Sequence, residues 1–244
     1  MNARDEILAR VRAALTDVTT DPSPRLIARL ASSSAGERSL GGGQTGNKSL
    51  AGAGPETLEL FAENVADYQA TVIRVDAAAG EPGVGAAIAG VLRELGCTSA
   101  VLPGGLEAAW RVAIEADVEV RDEAEATSAL VLDTVDAVVT GSAVGIATTG
   151  TIVLDHGLDQ GRRALTLVPD THVCVIRAEQ IVHDVPEAVA RLRTQGAPQR
   201  VLTWISGPSA TSDIELQRVE GVHGPRNLIV VLVADTHWPR TSQG

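Results

Sequence analysis

The turn that follows the apolar run 201–205 is the richest local source of ligand-binding groups in the chain. It reads Ser206-Gly207-Pro208-Ser209, and a helix is predicted near 212–220. Free backbone N–H groups and serine hydroxyls at such a turn favour an anion such as phosphate or carboxylate. In a parallel sheet the turn would lie at the carboxyl edge, where ligands usually bind. Simple capping of the helix by Ser209, Thr211 or Ser212 is the competing interpretation.

Side chains that can move protons follow in the same part of the chain. Asp213 and Glu215 fall in the first turn of the predicted helix, and His223 precedes Gly224-Pro225-Arg226. Histidine and carboxylates are the usual general acids and bases, so these three are the candidate catalytic residues. The alternatives are acidic residues that complement the helix dipole and a histidine that is only a turn residue. Arg226 would clamp a carboxylate or phosphate.

A second polar turn, Thr149-Gly150-Thr151, comes just before the apolar run 152–154. Gly150 permits close backbone approach, and the threonine hydroxyls offer donors and acceptors. Together with Ser206, Gly207, Ser209 and Arg226, these residues form the predicted ligand-binding set. An ordinary hairpin turn is the alternative for 149–151.

Weaker candidates are Arg162 and Arg163, which would neutralise an anion, and Pro103-Gly104-Gly105, which would approach a phosphate. This turn lacks the full GxGxxG fingerprint and the P-loop lysine, so a Rossmann cofactor site and Walker-type hydrolysis are not supported there. The nucleophile elbow GxSxG and the zinc motif HExxH are absent as well.

Charge and composition narrow the partners. The 244 residues carry a net charge of −11, with aromatic residues at only 2%. Such a surface repels a phosphate backbone and offers little stacking, so no nucleic acid is expected, whereas a local pocket still suits a small anionic metabolite.

Cysteine usage and the chain's amino-terminal sequence bear on cofactors and location. Cys97 and Cys174 do not form a CxxC or Cys/His cluster, so no metal site or iron–sulfur cluster is predicted in this chain.

The amino-terminal sequence bears on location. Residues 1–15 predict an amphipathic charged helix without the apolar core of a signal peptide, and apolar runs of membrane-spanning length are absent. A cytoplasmic protein is expected.

The elements that must position these residues alternate from residue 55 onwards. Helices are predicted at 56–67, 85–95, 106–116 and 186–195, and strands at 71–75, 99–102, 118–121, 172–177, 201–205 and 228–234. This rhythm predicts an α/β fold with three α/β/α layers and a mostly parallel sheet. Three apolar runs at 136–141, 144–147 and 151–154 are too close for crossover helices and predict a small antiparallel hairpin or meander beside it.

The same patterns divide the chain into three parts. Residues 1–54 are predicted to comprise the terminal helix and a Gly/Ser-rich segment whose composition favours a flexible loop or linker, with a mobile lid over a site as the alternative. Residues 55–235 form the α/β domain, and 236–244 form a loose tail.

The polar turns, taken in order, carry a family resemblance. The series consists of Thr149–Leu154, Arg162-Arg163, Val168–Val173, Ile176–Val182, Ile205–Ser209, Ser212–Glu215 and Gly221–Arg226. It resembles the LUD-domain family, in particular its lactate utilization proteins of the C type, over about residues 56–235. The family typically carries an acidic residue at the position of Thr148.

This resemblance implies a fold similar to that of the sugar-phosphate isomerase and CoA-transferase group. It also implies a role in oxidising L-lactate to pyruvate, as one component of a system whose partner proteins carry iron–sulfur clusters. Two other functions stay open: a stand-alone enzyme acting on a phosphorylated or CoA-linked small carboxylate, and a sensor that binds such a ligand without turnover.

Overall fold

The computed structural model describes residues 53–126, 128–194, 200–211, 219–220 and 224–235. In chain order, their helices are α1 Pro55–Asp67, α2 Gly80–Glu94, α3 Ala108–Glu115, α4 Ala129–Leu132 and α5 Val185–Thr194. Their strands are β1 Thr71–Asp76, β2 Ser99–Leu102, β3 Glu119–Asp122, β4 Ala137–Thr140, β5 Val144–Ile146, β6 Thr151–Leu154, β7 Thr171–Arg177, β8 Ile181–Val182, β9 Thr203–Ile205, β10 Ala210–Thr211, β11 Val219–Glu220 and β12 Asn227–Ala234. None of these helices combines the length and apolar character that a membrane span needs.

A six-stranded sheet in the order β1-β12-β7-β4-β2-β3 forms the centre of the fold, and every neighbouring pair in it is parallel. Its inner strands are buried along most of their length, as expected for Val- and Ile-rich strands covered on both faces. The predicted α/β fold with a mostly parallel sheet is confirmed.

Helices α2 and α3 cover one face of this sheet. Ile88 and Leu92 of α2 and Ile114 of α3 pack there against alternate residues of β2, β4, β7 and β12. Helix α1 covers the opposite face through Phe61 and Val65, together with strand β6. The parallel sheet is thus the middle layer of a three-layer arrangement.

A smaller sheet in the order β8-β5-β6-β9 lies on the α1 side. Strands β5 and β6 form the predicted antiparallel hairpin. Ile152 and Leu154 of β6 pack towards the parallel sheet, whereas Val153 packs with Ala188 of α5 on the outer side. Strand β6 therefore connects the central layer to α5.

The prediction that 136–141 belongs to this hairpin is wrong, because β4 lies between β2 and β7 in the parallel sheet. The Asp136 carboxylate fixes its start: it accepts hydrogen bonds from the backbone N–H and the hydroxyl of Thr98, both at 2.8 Å, and from those of Ser99 at 2.9 and 3.0 Å. Burial alone would raise the pKa of Asp136, but these hydrogen bonds lower it. The chain then changes sheets after Gly141.

Two expectations about the segment after residue 200 are also corrected. Strand β9 pairs antiparallel with β6, so it is not part of the parallel sheet. Strands β10 and β11 pair antiparallel with each other, which contradicts a helix extending to residue 220 and helix capping by Thr211. Residues 212–218, the predicted terminal helix at 2–15 and the tail 236–244 lie outside the described residues.

Candidate functional site

The structure brings the predicted polar turns together. The Ser209 N–H donates to the Pro225 carbonyl at 2.8 Å, which joins the turn after β9 to the segment before β12. The hydroxyls of Ser206 and Thr151 are 2.7 Å apart, and Thr149 donates its own hydroxyl to Thr151 at 2.8 Å. Segments separated by more than fifty residues in sequence therefore meet at one place.

The location differs from the sequence prediction. The cavity beside Ser206 and Ser209 also contacts His172 and Leu228, which are the second residues of β7 and β12. It therefore lies at the amino ends of these parallel strands rather than at their carboxyl ends. The prediction of a carboxyl-edge site failed because it assigned β9 to the parallel sheet.

We call this cavity, of about 210 Å³, the Arg163 pocket. Arg163 is the only arginine or lysine among the residues that line it, and none of these lining residues is acidic. Four residues with hydroxyl groups line the wall together with Arg163, and the other lining residues are neutral. The lining residues are Arg163, Thr166, Leu167, His172, Thr203, Trp204, Ile205, Ser206, Gly207, Pro208, Ser209, Gly224, Pro225 and Leu228.

Arg163 is held by a chain of hydrogen bonds. Its Nη1 donates to Thr203 Oγ1 at 2.8 Å, and that oxygen lies 2.9 Å from His156 Nε2. His156 Nδ1 lies 2.9 Å from the Gly161 carbonyl, which only accepts, so this nitrogen carries the proton. In the neutral tautomer Nε2 then accepts from the Thr203 hydroxyl, which leaves the Thr203 lone pairs for Arg163.

His172 forms part of the pocket's interior wall. Its side chain is 1% exposed, and its Nε2 lies 2.8 Å from Thr140 Oγ1. Burial lowers the pKa of His172 to about 4, so the imidazole is neutral at physiological pH. Arg163 therefore supplies the positive charge of the wall.

Packing explains why both glycines of the predicted ligand-binding set are glycines. Gly150 adopts φ +56°, and a Cβ there would lie 2.6 Å from the backbone carbon of Asn64 in α1. Gly207 adopts φ +100°, and its Cβ would lie 2.8 Å from atoms of Tyr68. Both positions need glycine because the backbone enters the left-handed region at a close approach.

The turn 149–151 does not line the Arg163 pocket. It is joined to that pocket by the hydrogen bond between the hydroxyls of Thr151 and Ser206. Thr148 is exposed and is not among the residues that line that pocket. The weaker candidate Gly105 is likewise explained by packing: its N–H donates to Leu158 O at 2.8 Å, and a Cβ would lie 2.5 Å from that residue's backbone.

Arg226 faces away from the predicted ligand turn. Its Nε lies 3.4 Å from Asp170 Oδ1, and both side chains are more than half exposed. It lines a separate cavity with Asp133 and Asp136 rather than the Arg163 pocket. The candidate catalytic residues Asp213, Glu215 and His223 lie outside the described residues.

Comparison with known proteins identifies the family. Residues 55–233 match the LUD domain, a span that covers well over half of the chain. The chain belongs to the LUD-domain family. The lactate utilization protein C of Deinococcus radiodurans is 49% identical to this LUD domain protein over 178 residues, which is 73% of this chain and 80% of the relative. The lactate utilization protein C of Bacillus subtilis is 34% identical over 40% of this chain and 42% of its own length.

A solved structure agrees with the fold. The crystal structure of a DUF162 family protein from Deinococcus radiodurans superimposes on this LUD domain with a TM-score of 0.58 and 42% sequence identity, covering 73% of this chain and 96% of that one. Both relatives named above carry the name lactate utilization protein C.

Arg163 was a weaker candidate than Arg226 in the sequence of this LUD domain protein, and Thr203, His156 and His172 were not among the predicted site residues. Thr203, His156 and His172 have no local motif that marks them. His156 adopts φ +56°, which is unusual for a residue other than glycine, but a sequence does not reveal this conformation. The doubled arginine at 162–163 was the available signal.

Proposed function

We propose that this LUD domain protein is a component of an L-lactate utilization system that oxidises lactate to pyruvate together with iron–sulfur partner proteins. The observation that carries the proposal is the 49% identity to a lactate utilization protein C across 73% of this chain. At that identity and coverage the whole described domain corresponds to the relative, so a shared role is the simplest expectation.

The chemistry of the cysteines supports assigning the clusters to the partners. An iron–sulfur cluster is commonly held by four thiolates, whereas the chain contains two cysteines. Burial raises the pKa of Cys174 to about 12, and burial likewise raises the pKa of Cys97. Both thiols therefore favour the protonated form, which is a poor metal ligand.

The Arg163 pocket supports a role in binding a small anionic metabolite. Its size of about 210 Å³ is below the range of roughly 300–1,000 Å³ that holds drug-sized ligands and cofactors. A cation at the wall of a pocket that is also lined with hydroxyl groups suits a compact oxyanion.

Growth on lactate tests the proposal. The gene for this chain is deleted in its host, and growth is compared with L-lactate and with pyruvate as the carbon source. We expect loss of growth on lactate, normal growth on pyruvate, and recovery when the full chain is returned. Unchanged growth on lactate after the deletion, with no second gene of the family in the genome, would contradict the proposal.

The partners are tested separately by affinity purification from cells grown on lactate. Iron–sulfur proteins recovered with the tagged chain, recognised by their visible absorbance and iron content, are the expected result. A preparation that lacks them under anaerobic, low-salt conditions would argue against a stable complex.

A further inference from the structure

The arginines of this protein are mostly committed to carboxylates. Ion pairs join an acidic side chain to each of Arg74, Arg93, Arg111, Arg121, Arg162, Arg177, Arg200 and Arg226. Arg163 differs from them, because its contact is the neutral hydroxyl of Thr203 and no carboxylate lies within 4.0 Å of it among the described residues. In a chain of net charge −11, a cation without an acidic partner at the wall of a cavity is unusual.

The remaining donors of this guanidinium are available to a ligand. Nη1 is used by Thr203, whereas Nε and Nη2 have no hydrogen-bond partner within the described ranges. An Arg side chain presents its donors in a planar fork that matches the two oxygens of a carboxylate. The Thr203 contact fixes one corner of that fork and so orients the rest.

The lining of the pocket favours a ligand with one negative charge and a short apolar part. Arg163 can compensate one charge, whereas the second charge of a phosphate monoester would stay uncompensated beside the neutral His172. Ser206 and Thr166 already hydrogen-bond within the protein, to the Thr151 hydroxyl at 2.7 Å and to the Arg163 carbonyl at 3.2 Å, and their oxygens can still accept a hydrogen bond from a ligand hydroxyl. The wall near Leu228 is apolar.

We infer that the Arg163 pocket binds a small monocarboxylate of the 2-hydroxy or 2-oxo acid class, with Arg163 contacting the carboxylate and Thr203 acting as its positioning residue. This inference rests on the proposed function for the choice of acid. It replaces the earlier expectation that Arg226 binds the anion.

Titration calorimetry with the purified full chain tests the inference, using L-lactate, pyruvate and inorganic phosphate as separate probes. We expect the two carboxylates to bind and phosphate to bind at least tenfold more weakly. Arg163→Gln should weaken carboxylate binding on the order of ten- to a hundredfold, because a charge-assisted contact is lost. Arg163→Lys should fall in between, since it keeps the charge and loses the fork.

The neighbouring arginines provide matched controls. Arg162→Gln removes the adjacent guanidinium, which contacts Glu123 and the Ala126 carbonyl. Arg226→Gln removes the guanidinium that forms an ion pair with Asp170. Both should bind the carboxylates within twofold of the wild type. Equal weakening in all three glutamine variants would indicate a general charge effect and overturn the inference.

Thr203 is tested by a pair of substitutions. Thr203→Val should weaken carboxylate binding, and Thr203→Ser should restore it, because the hydroxyl that holds Arg163 returns. Thermal unfolding identifies variants that fail to fold, and a valine variant that folds and binds normally would overturn the positioning role.

The two proposals fail in different ways. If the wild type binds neither carboxylate while the chain still restores growth on lactate, the pocket inference is wrong and the proposed function stands. If the wild type binds carboxylates through Arg163 while deletion leaves growth on lactate intact, the pocket stands and the proposed function is wrong.

Discussion

Acidification tests the environment of His172 directly. In the folded protein burial lowers the pKa of this histidine to about 4, from a value of 6.5 in an unperturbed chain. Between these two pH values the unfolded chain binds a proton that the folded chain does not. The free energy of unfolding therefore falls as the pH is lowered from 6.5 towards 4, and the full stability contribution is present only above pH 6.5.

The size of the effect follows from the two pKa values. Each pH unit in this window costs about 1.4 kcal/mol, so the loss between pH 7 and pH 4.5 is about 2.5 kcal/mol. The free energy of unfolding of a natural domain is about 5–15 kcal/mol, so protonation of one buried histidine removes a measurable share of it.

The assay is urea unfolding of the wild type and His172→Gln at pH 7 and pH 4.5. Glutamine keeps a polar group near Thr140 but does not titrate, so this variant should lose about 2.5 kcal/mol less than the wild type over the same interval. His183→Gln is the control, because His183 is exposed, and it should follow the wild type. Identical pH dependence in the wild type and His172→Gln would refute the assignment of a neutral, buried imidazole.

Three further predictions concern the scaffold. Gly150→Ala should lower the free energy of unfolding by about 3 kcal/mol through left-handed strain and contact with α1, whereas Gly90→Ala in the open interior of α2 should be neutral or stabilising in the same denaturation series. Asp136→Ala should cost about 2–3 kcal/mol in urea unfolding because four hydrogen bonds lose their acceptor, and equal stability would contradict the role given to that carboxylate. Cys174 should react with iodoacetamide at pH 8 at least a hundredfold more slowly than Cys97, since it is buried and its pKa is raised to about 12; mass spectrometry that finds equal rates would reject this.

The parallel core could be predicted because its signal is local. Short runs of Val, Ile, Leu and Ala separated by amphipathic helices define βαβ units, and the predicted bounds of strand 99–102 agree with the structure. Helix α2 begins at Gly80 rather than at 85, because Glu81 and Pro82 suit a first helical turn despite the glycines around them.

Sheet membership could not be predicted in the same way. Strands β4 and β9 are short and apolar, and the sequence of such a strand does not determine which other strand it pairs with. Asp136 decides the first case through Thr98 and Ser99, nearly forty residues away in sequence. The same limit applies to the candidate site. Arg163 and Arg226 look alike in sequence, and only the folded chain places Asp170 beside the second and Thr203 beside the first.

The position of β12 has a consequence for biosynthesis. This strand comes after residue 226, yet it lies between β1 and β7 inside the parallel sheet, with Thr71 opposite Ile229. During translation β1 and β7 emerge well before the strand that joins them, so the nascent chain presents unpaired apolar strand edges until β12 leaves the ribosome. A chain truncated near residue 226 would lack an interior strand rather than an edge, and we expect it to be held by chaperones or to aggregate.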